Sequence, residues 1–246
     1  MAADQAQATI DRPEDGRFFS RLFYVFVTLA VLSLGISLAG KEFGHFIVMA
    51  GNTDARTTYR IRIGDDALSV PANMIRFETA RRDGEAKRVD LYVHWPDMQG
   101  YTLAARDDFD NRSGVKRILF MTVKERDMSR DMSGRFDPIY SGLVERPGTA
   151  GPSGITFYRF NGQSGYLNEE LAVAPRPGQD TPFVARCLYQ AASVNALADC
   201  ERDIQFGENL QLRYRFPREL IDQWSDIDRA VEAFASEHLV QKSNRP

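Results

Sequence analysis

Histidine and cysteine are scarce in this chain, and their scarcity excludes several kinds of chemistry. Of 246 residues only three are histidine and two are cysteine. His45, His94 and His238 lie far apart and make no HExxH pair, and the cysteines make no CxxC, so no local metal motif is present. The histidines read as solvated or core residues. Phosphate-binding glycine loops are missing as well, since neither GxxxxGK nor GxGxxG occurs. Charge of one sign is not in excess either. The formal net charge is −3 and no long basic run appears, so no nucleic-acid partner is expected. No cofactor is expected, and no metal.

Weaker motifs fail on inspection. Asp108 and Asp110 alternate in DDFDNRSG as the first ligands of a calcium loop would. Ser113 and Leu119 stand where that loop needs a glycine and a carboxylate. The serines of GPSG and GQSG sit between glycines, but neither makes the GxSxG elbow of a strand-to-helix nucleophile. Cys187 with His94 could imitate a thiol–imidazole pair, yet a second cysteine, Cys200, makes a disulfide the simpler account.

What the chain does have is one long apolar run. Residues 22–40, LFYVFVTLAVLSLGISLAG, hold no charge over 19 positions. As a helix they extend about 28 Å, close to the hydrocarbon thickness of a bilayer. The run is apolar all round, and the hydroxyls of Thr28, Ser33 and Ser37 can bond back to helix carbonyls. Phe18, Phe19 and Tyr24 sit at its start, as an interfacial aromatic belt would. Arg12, Arg17 and Arg21 precede it, whereas Lys41 alone follows, beside Glu42. The positive-inside bias then leaves the N-terminus in the cytoplasm and carries the bulk of the chain across. The competing reading is a signal peptide cleaved after Ala39, since Ser37-Leu38-Ala39 has the small-x-small form. The length of the run and its long acidic lead favour an anchor in the lipid bilayer.

The expected plan is therefore a cytoplasmic tail at 1–21, a transmembrane anchor at 22–40 and a juxtamembrane linker at 41–58. An exported α+β region follows, rich in antiparallel sheet, in two halves at 59–145 and 155–240. The proline- and glycine-rich RPGTAGPSG between them is the best internal boundary. Strands are marked by alternation. Tyr59, Ile61 and Ile63 alternate with Arg60 and Arg62; Val89, Leu91, Val93 and Trp95 with Asp90, Tyr92 and His94. VKRILFMTV, FVARCLY, CERDIQF and NLQLRYRF follow, the last with Leu210, Leu212, Tyr214 and Phe216 opposite Gln211, Arg213 and Arg215. Asn73 is placed to cap a short helical turn. KERDMSRDMSGRFDPIYSGLVER reads as a broken helix, ITFYRFNGQSGYL as a hairpin turning on Asn161-Gly162, and 97–114 as loop. Pro217 opens an amphipathic C-terminal helix at about 218–240, whose Trp224 and Phe234 are expected against the NLQLRYRF strand.

Arg60, Arg62, Arg213 and Arg215 all project from strands opposite apolar residues. They read either as a solvated, edge-protecting face or as a cationic docking face for an acidic partner or anionic headgroups. The stretches IRIGDDALSVPANMIRF and HWPDMQGYT, with the single leading span, resemble those of single-span membrane-anchored envelope proteins of Gram-negative bacteria. That resemblance implies an envelope setting and no particular activity. Together these features favour a protein of the bacterial inner membrane, with a single pass and a periplasmic domain that binds or scaffolds an envelope protein partner. The rival is an envelope hydrolase acting on cell-wall or lipid material, with site residues from 97–114, or an accessory subunit of a membrane complex.

Export places both cysteines in an oxidising compartment, and no third cysteine competes for pairing. Thiol labelling of denatured, unreduced protein should find no free cysteine; two labelled thiols would refute both the bond and the compartment.

Overall fold

The computed structural model describes residues 15–49, 51–189 and 196–241, in two units, Met1–Gly51 and Asn52–Pro246. The first unit is a single helix, α1 (Asp15–Met49). Within it Phe18–Ile36 is long and apolar enough to cross a membrane, and none of that stretch is buried. The helix continues past the expected span of 22–40 as far as Met49. No proline lies between 41 and 49, and a glycine such as Gly44 weakens a helix without stopping it. The segment free of regular structure before the second unit's first strand shortens to 51–57.

The second unit begins with a hairpin of β1 (Thr58–Ile63) and β2 (Asp66–Pro71), paired along their whole length. Gly64 takes φ +58 at the turn, where a side chain would be strained and would meet Glu125. The short β3 (Gly84–Glu85) lies parallel to β1 on its other side. Asn73 does not cap a helix. It is buried inside a 3-10 turn, and its amide donates to the Tyr101 carbonyl.

The larger sheet has eight strands, all paired antiparallel, in the order β4-β5-β11-β10-β9-β8-β7-β6. Their ranges are β4 (Arg88–His94), β5 (Ile118–Glu125), β6 (Thr149–Ala150), β7 (Thr156–Arg159), β8 (Glu169–Ala174), β9 (Phe183–Leu188), β10 (Cys200–Phe206) and β11 (Leu210–Phe216). A one-turn helix, α2 (Arg106–Phe109), lies between β4 and β5, within a stretch expected to be all loop. The proline- and glycine-rich stretch is not a gap between bodies. It supplies β6, and its Ser153 carbonyl accepts from the Trp224 indole at 3.0 Å. The expected broken helix is instead the end of β5, a run of turns and a 3-10 turn at Tyr140–Gly142, as Gly134 and Pro138 foreshadow. The expected hairpin turning on Asn161-Gly162 is not formed; β7 pairs instead with β8, which lies beyond that stretch. After Pro217 the chain makes a 3-10 turn, Arg218–Gln223, before α3 (Trp224–His238). Its exit pairs with β2, where Leu239 bridges Leu68 and the Val240 N–H donates to the Ala67 carbonyl.

Alternation along the strands divides the large sheet into two faces. The inner face carries Val89, Leu91, Leu119, Met121, Val123, Ala172, Phe183, Leu212, Tyr214 and Phe216 into one core with α3 and the β1–β2 hairpin. Trp224 and Phe234 are both in that core with Leu212, Tyr214 and Phe216 of β11, and the Trp224 ring also packs on Phe183 of β9, 4.6 Å between centroids. On the outer face a second core forms over Leu171 and Val184, from Met132, Tyr140 and Phe160.

Between β9 and β10 the register holds for only two residue pairs, Cys200 with Cys187 and Glu201 with Arg186, and the cysteines are joined as a disulfide. Beyond them Arg202, with no exposed surface, takes the place of ladder bonds. Its Nη1 donates to the Val184 carbonyl at 3.2 Å and to Ser133 Oγ at 2.7 Å. Its Nε donates to Asp228 of α3 at 2.8 Å, and the Tyr214 hydroxyl donates to the same carboxylate oxygen at 2.8 Å. Arg176 reaches the other oxygen at 3.4 Å.

Removing one partner from such a network leaves a buried charge, so Asp228→Ala should cost about 3–5 kcal/mol in denaturant unfolding. Arg202→Met with Asp228→Leu should cost less than the sum of the single changes, since neither charge is then stranded. Additive losses would show that the two residues do not act as a pair.

Candidate functional site

The outer face of the large sheet is covered at one end and open at the other. Over β7 to β9 the second core closes it. Over the C-terminal half of β4, α2 closes it. Phe109 stands edge-on to Tyr92 at 4.9 Å and to Tyr101 at 5.4 Å. What remains is the patch where β4, β5 and β11 run side by side. Register sets its rows: Asp90 beside Thr122 beside Arg213, and Tyr92 beside Phe120 beside Arg215.

Phe120 is the centre of this patch. The Arg76 guanidinium carbon lies 5.0 Å from its ring centroid and that of Arg215 5.8 Å, both within cation–π range. Arg76 also lies 5.2 Å from the ring of Phe77, which is 45% exposed. A small cavity of about 40 Å³ opens among Arg76, Asp90, Phe120, Thr122, Arg213 and Arg215. Asp90 is already engaged, accepting from Thr122 Oγ1 at 2.7 Å and bridging Arg88 at 3.1 Å. Arg213 has a long contact of 3.8 Å to Glu201, which Arg186 holds at 2.7 Å. Arg76 and Arg215 make no ion pair with any carboxylate among the described residues.

The four arginines singled out in the sequence are therefore placed as two pairs on different sheets. Arg60 and Arg62 project from β1 and line a broad cleft of about 810 Å³ with Asp65 and Asp83. Charge there is balanced. Arg62 meets Glu85 at 3.6 Å, and Asp83 accepts from the Arg60 backbone at 2.7 Å. Arg213 and Arg215 belong to the β5–β11 patch. Sequence reasoning missed Arg76, Phe77 and Phe120. Phe120 did carry a signal, because it lies between Leu119 and Met121 and so puts an aromatic ring on the polar face of its strand. Arg76 carried none, since its partner is far along the chain.

Residues 97–114, the source of the rival catalytic site, gather around His94. Its Nδ1 meets Asp97 at 3.0 Å and its Nε2 meets Asp108 at 3.0 Å. Hydrogen bonds from Ser113 and then His94 hold the Asp108 carboxyl below its usual range. A general base needs one ring nitrogen free to take the proton of a nucleophile. Here carboxylates occupy both, and the arrangement acts as a clamp fixing α2 to β4. Among the described residues no group of three His, Cys, Asp or Glu side chains is disposed to hold a metal ion.

No protein-family model matches the chain, and no curated protein does. Two solved structures are similar to it. One is Smlt3025, an immunity protein of the Stenotrophomonas maltophilia type IV secretion system. It is 12% identical, with a TM-score of 0.51, over 77% of this chain and 95% of that one. The other is FrpD, an iron-regulated outer membrane lipoprotein of Neisseria meningitidis. It is 12% identical, with a TM-score of 0.41, over 76% of this chain and 98% of that one. Both come from Gram-negative bacteria. At this identity the first likeness shows the fold alone, and the second is too slight to carry an argument.

Beneath the α2 clamp, Tyr92 donates its hydroxyl to Asn52 Oδ1 at 2.8 Å. Burial pushes that hydroxyl up from 10.0 to about 12, although Arg81 pulls the other way. Burial also raises Tyr101, Tyr140 and Tyr214. A group raised in the folded state stabilises fully below its unfolded pKa and loses that contribution as pH climbs to the folded value. Stability should thus fall between pH 10 and about 12 from Tyr92 alone. Tyrosinate absorbance should show Tyr92, Tyr101, Tyr140 and Tyr214 ionising above the ordinary tyrosine value of 10.0 until the protein unfolds. Ionisation of these four at that ordinary value in the native protein would contradict it.

Proposed function

We propose that this chain is a single-span envelope protein that binds or scaffolds another envelope component. Residues 22–40 cross the inner membrane, the N-terminus stays in the cytoplasm, and the sheet domain lies in the periplasm. The anchor is supported by a helix whose Phe18–Ile36 stretch is unburied and carries no charge after Arg21, because water-facing helices carry a polar face. Orientation rests on the three arginines before the span against a single lysine close after it. The disulfide between β9 and β10 fits an oxidising compartment.

Binding rests on one observation, the open end of the sheet's outer face. Elsewhere that face is covered by 132–144 and by α2, and its charges are paired. Over β5 and β11 arginines without carboxylate partners surround an aromatic ring. Enrichment in arginine and aromatic side chains is the compositional mark of protein interfaces.

The anchor is tested by fractionation and a reporter. A periplasm-active reporter after residue 246 should be active, and the protein should stay with membranes after salt washing. A soluble product beginning near residue 40 would replace the anchor with a cleaved signal. Binding is tested with a photo-crosslinking amino acid at position 88, beside the patch, in cells of the native host. Discrete adducts should form there and not from position 225, on the exposed side of α3. Their absence at position 88 would count against the binding reading.

A further inference from the structure

We infer that the guanidinium-flanked ring of Phe120 is a carboxylate socket, and that the partner is a protein presenting an acidic segment of Asp or Glu side chains to it. The inference rests on the binding reading above and specifies what is bound.

Three features support it. The first is uncompensated like charge. Arg76, Arg213 and Arg215 line one small cavity, and among the described residues only Arg213 has a carboxylate at ion-pair distance, Glu201 at 3.8 Å. The acid in the lining, Asp90, is occupied by Arg88 and Thr122. A bound carboxylate would relieve this repulsion.

The second is preorganisation. The guanidinium carbons of Arg76 and Arg215 lie 5.0 Å and 5.8 Å from the Phe120 centroid, and cation–π attraction narrows where these groups sit. A guanidinium drawn to a ring can still offer N–H groups in the bidentate geometry that matches a carboxylate. Less rotamer freedom is then lost on binding.

The third is size. A space of about 40 Å³ suits the tip of one side chain. Cofactors and drug-sized ligands need roughly 300–1,000 Å³. Anionic lipid surfaces are read by clusters of about four to eight basic residues. Here Asp90, Asp127 and Glu201 interrupt the basic residues, and a multiply charged phosphate would feel Asp90 more strongly than a single carboxylate would. The exposed Phe77 beside Arg76 adds an apolar rim of the kind a protein partner covers.

The test uses the full chain in nanodiscs of neutral phosphatidylcholine and a fluorescent hexaglutamate peptide at low ionic strength. Fluorescence anisotropy should show saturable, salt-sensitive binding. Arg76→Gln with Arg215→Gln should weaken it about tenfold or more, the scale of one charge-assisted hydrogen bond. Arg60→Gln with Arg62→Gln should leave it unchanged. Both arginine pairs are exposed, so the thermal midpoint should hold. Phe120→Leu, which keeps the apolar contact and removes the π face, provides a second variant and should also weaken binding. Failure of the peptide to bind, or equal loss from both arginine pairs, would overturn the socket. Phosphatidylglycerol vesicles bound by the wild type and not by the Arg76/Arg215 variant, with no peptide binding, would assign the patch to lipid instead. Adducts from position 88 that persist unchanged in that variant would refute the socket while leaving the binding reading intact.

Discussion

The guanidinium of Arg202 holds the large sheet together where its ladder gives out. β9 and β10 share two register pairs at the disulfide and then diverge. A split sheet leaves backbone carbonyls that must find donors or suffer desolvation. Arg202 meets the need on three sides, bonding Val184 of β9, Ser133 of the outer cover and Asp228 of α3. Its face also lies 4.9 Å from the Phe183 ring, which packs on Trp224. One side chain thereby ties the outer cover, the sheet and the helix into a single arrangement. A buried charge is a poor source of net stability, but it tolerates few alternative geometries. Ser133 in turn donates to the Pro182 carbonyl, so the outer cover is fixed at the point where the strands part.

That fixed cover gives the outer face its two characters. Where 132–144 lies over β8 and β9, the sheet is packed on both sides, and Leu171 and Val184 are as buried as residues of the main core. Where the cover stops, cross-strand ion pairs take over. Arg186 bridges Glu169 at 3.3 Å and Glu201 at 2.7 Å, and Arg135 of the cover meets Asp203. Past Glu201 the next acid on the face, Asp90, is taken up by Arg88 and Thr122, while the arginines continue. The charge imbalance at β5 and β11 follows from how far the cover extends and from which residues register places in each row.

Much of this was legible in the sequence, for a physical reason. Alternation fixed the strands bearing Ile61 and Ile63, Leu91 and Val93, and Leu212 and Tyr214, because each has one face buried and the period of two leaves little choice. The cysteine pairing was legible because only one partner existed. The cover at 132–144 was not, since its Met132 and Tyr140 are buried by contacts with distant strands and follow no local period. Arg202 was not legible as a hub, because its position in CERDIQF looks like any polar residue until β9 diverges beside it. The candidate site was half legible. Arg213 and Arg215 announced themselves by alternation, whereas Arg76 joins them only through the fold, and Arg60 and Arg62 share their pattern without sharing their place.

Strand order also dictates when this domain can exist. β5 occupies the second place in the large sheet, but its inner neighbour is β11, nearly at the end of the chain. β2 likewise receives its last partner from Leu239 and Val240. Synthesis proceeds from the N-terminus, so β1 to β5 emerge first and β5 waits with an unpaired edge until residues 210–216 have been made. Contacts this distant close slowly, and open edges in the interval invite wrong pairings. The large sheet and the β1–β2 hairpin are thus completed only when β11, α3 and the exit segment at 239–240 have been made.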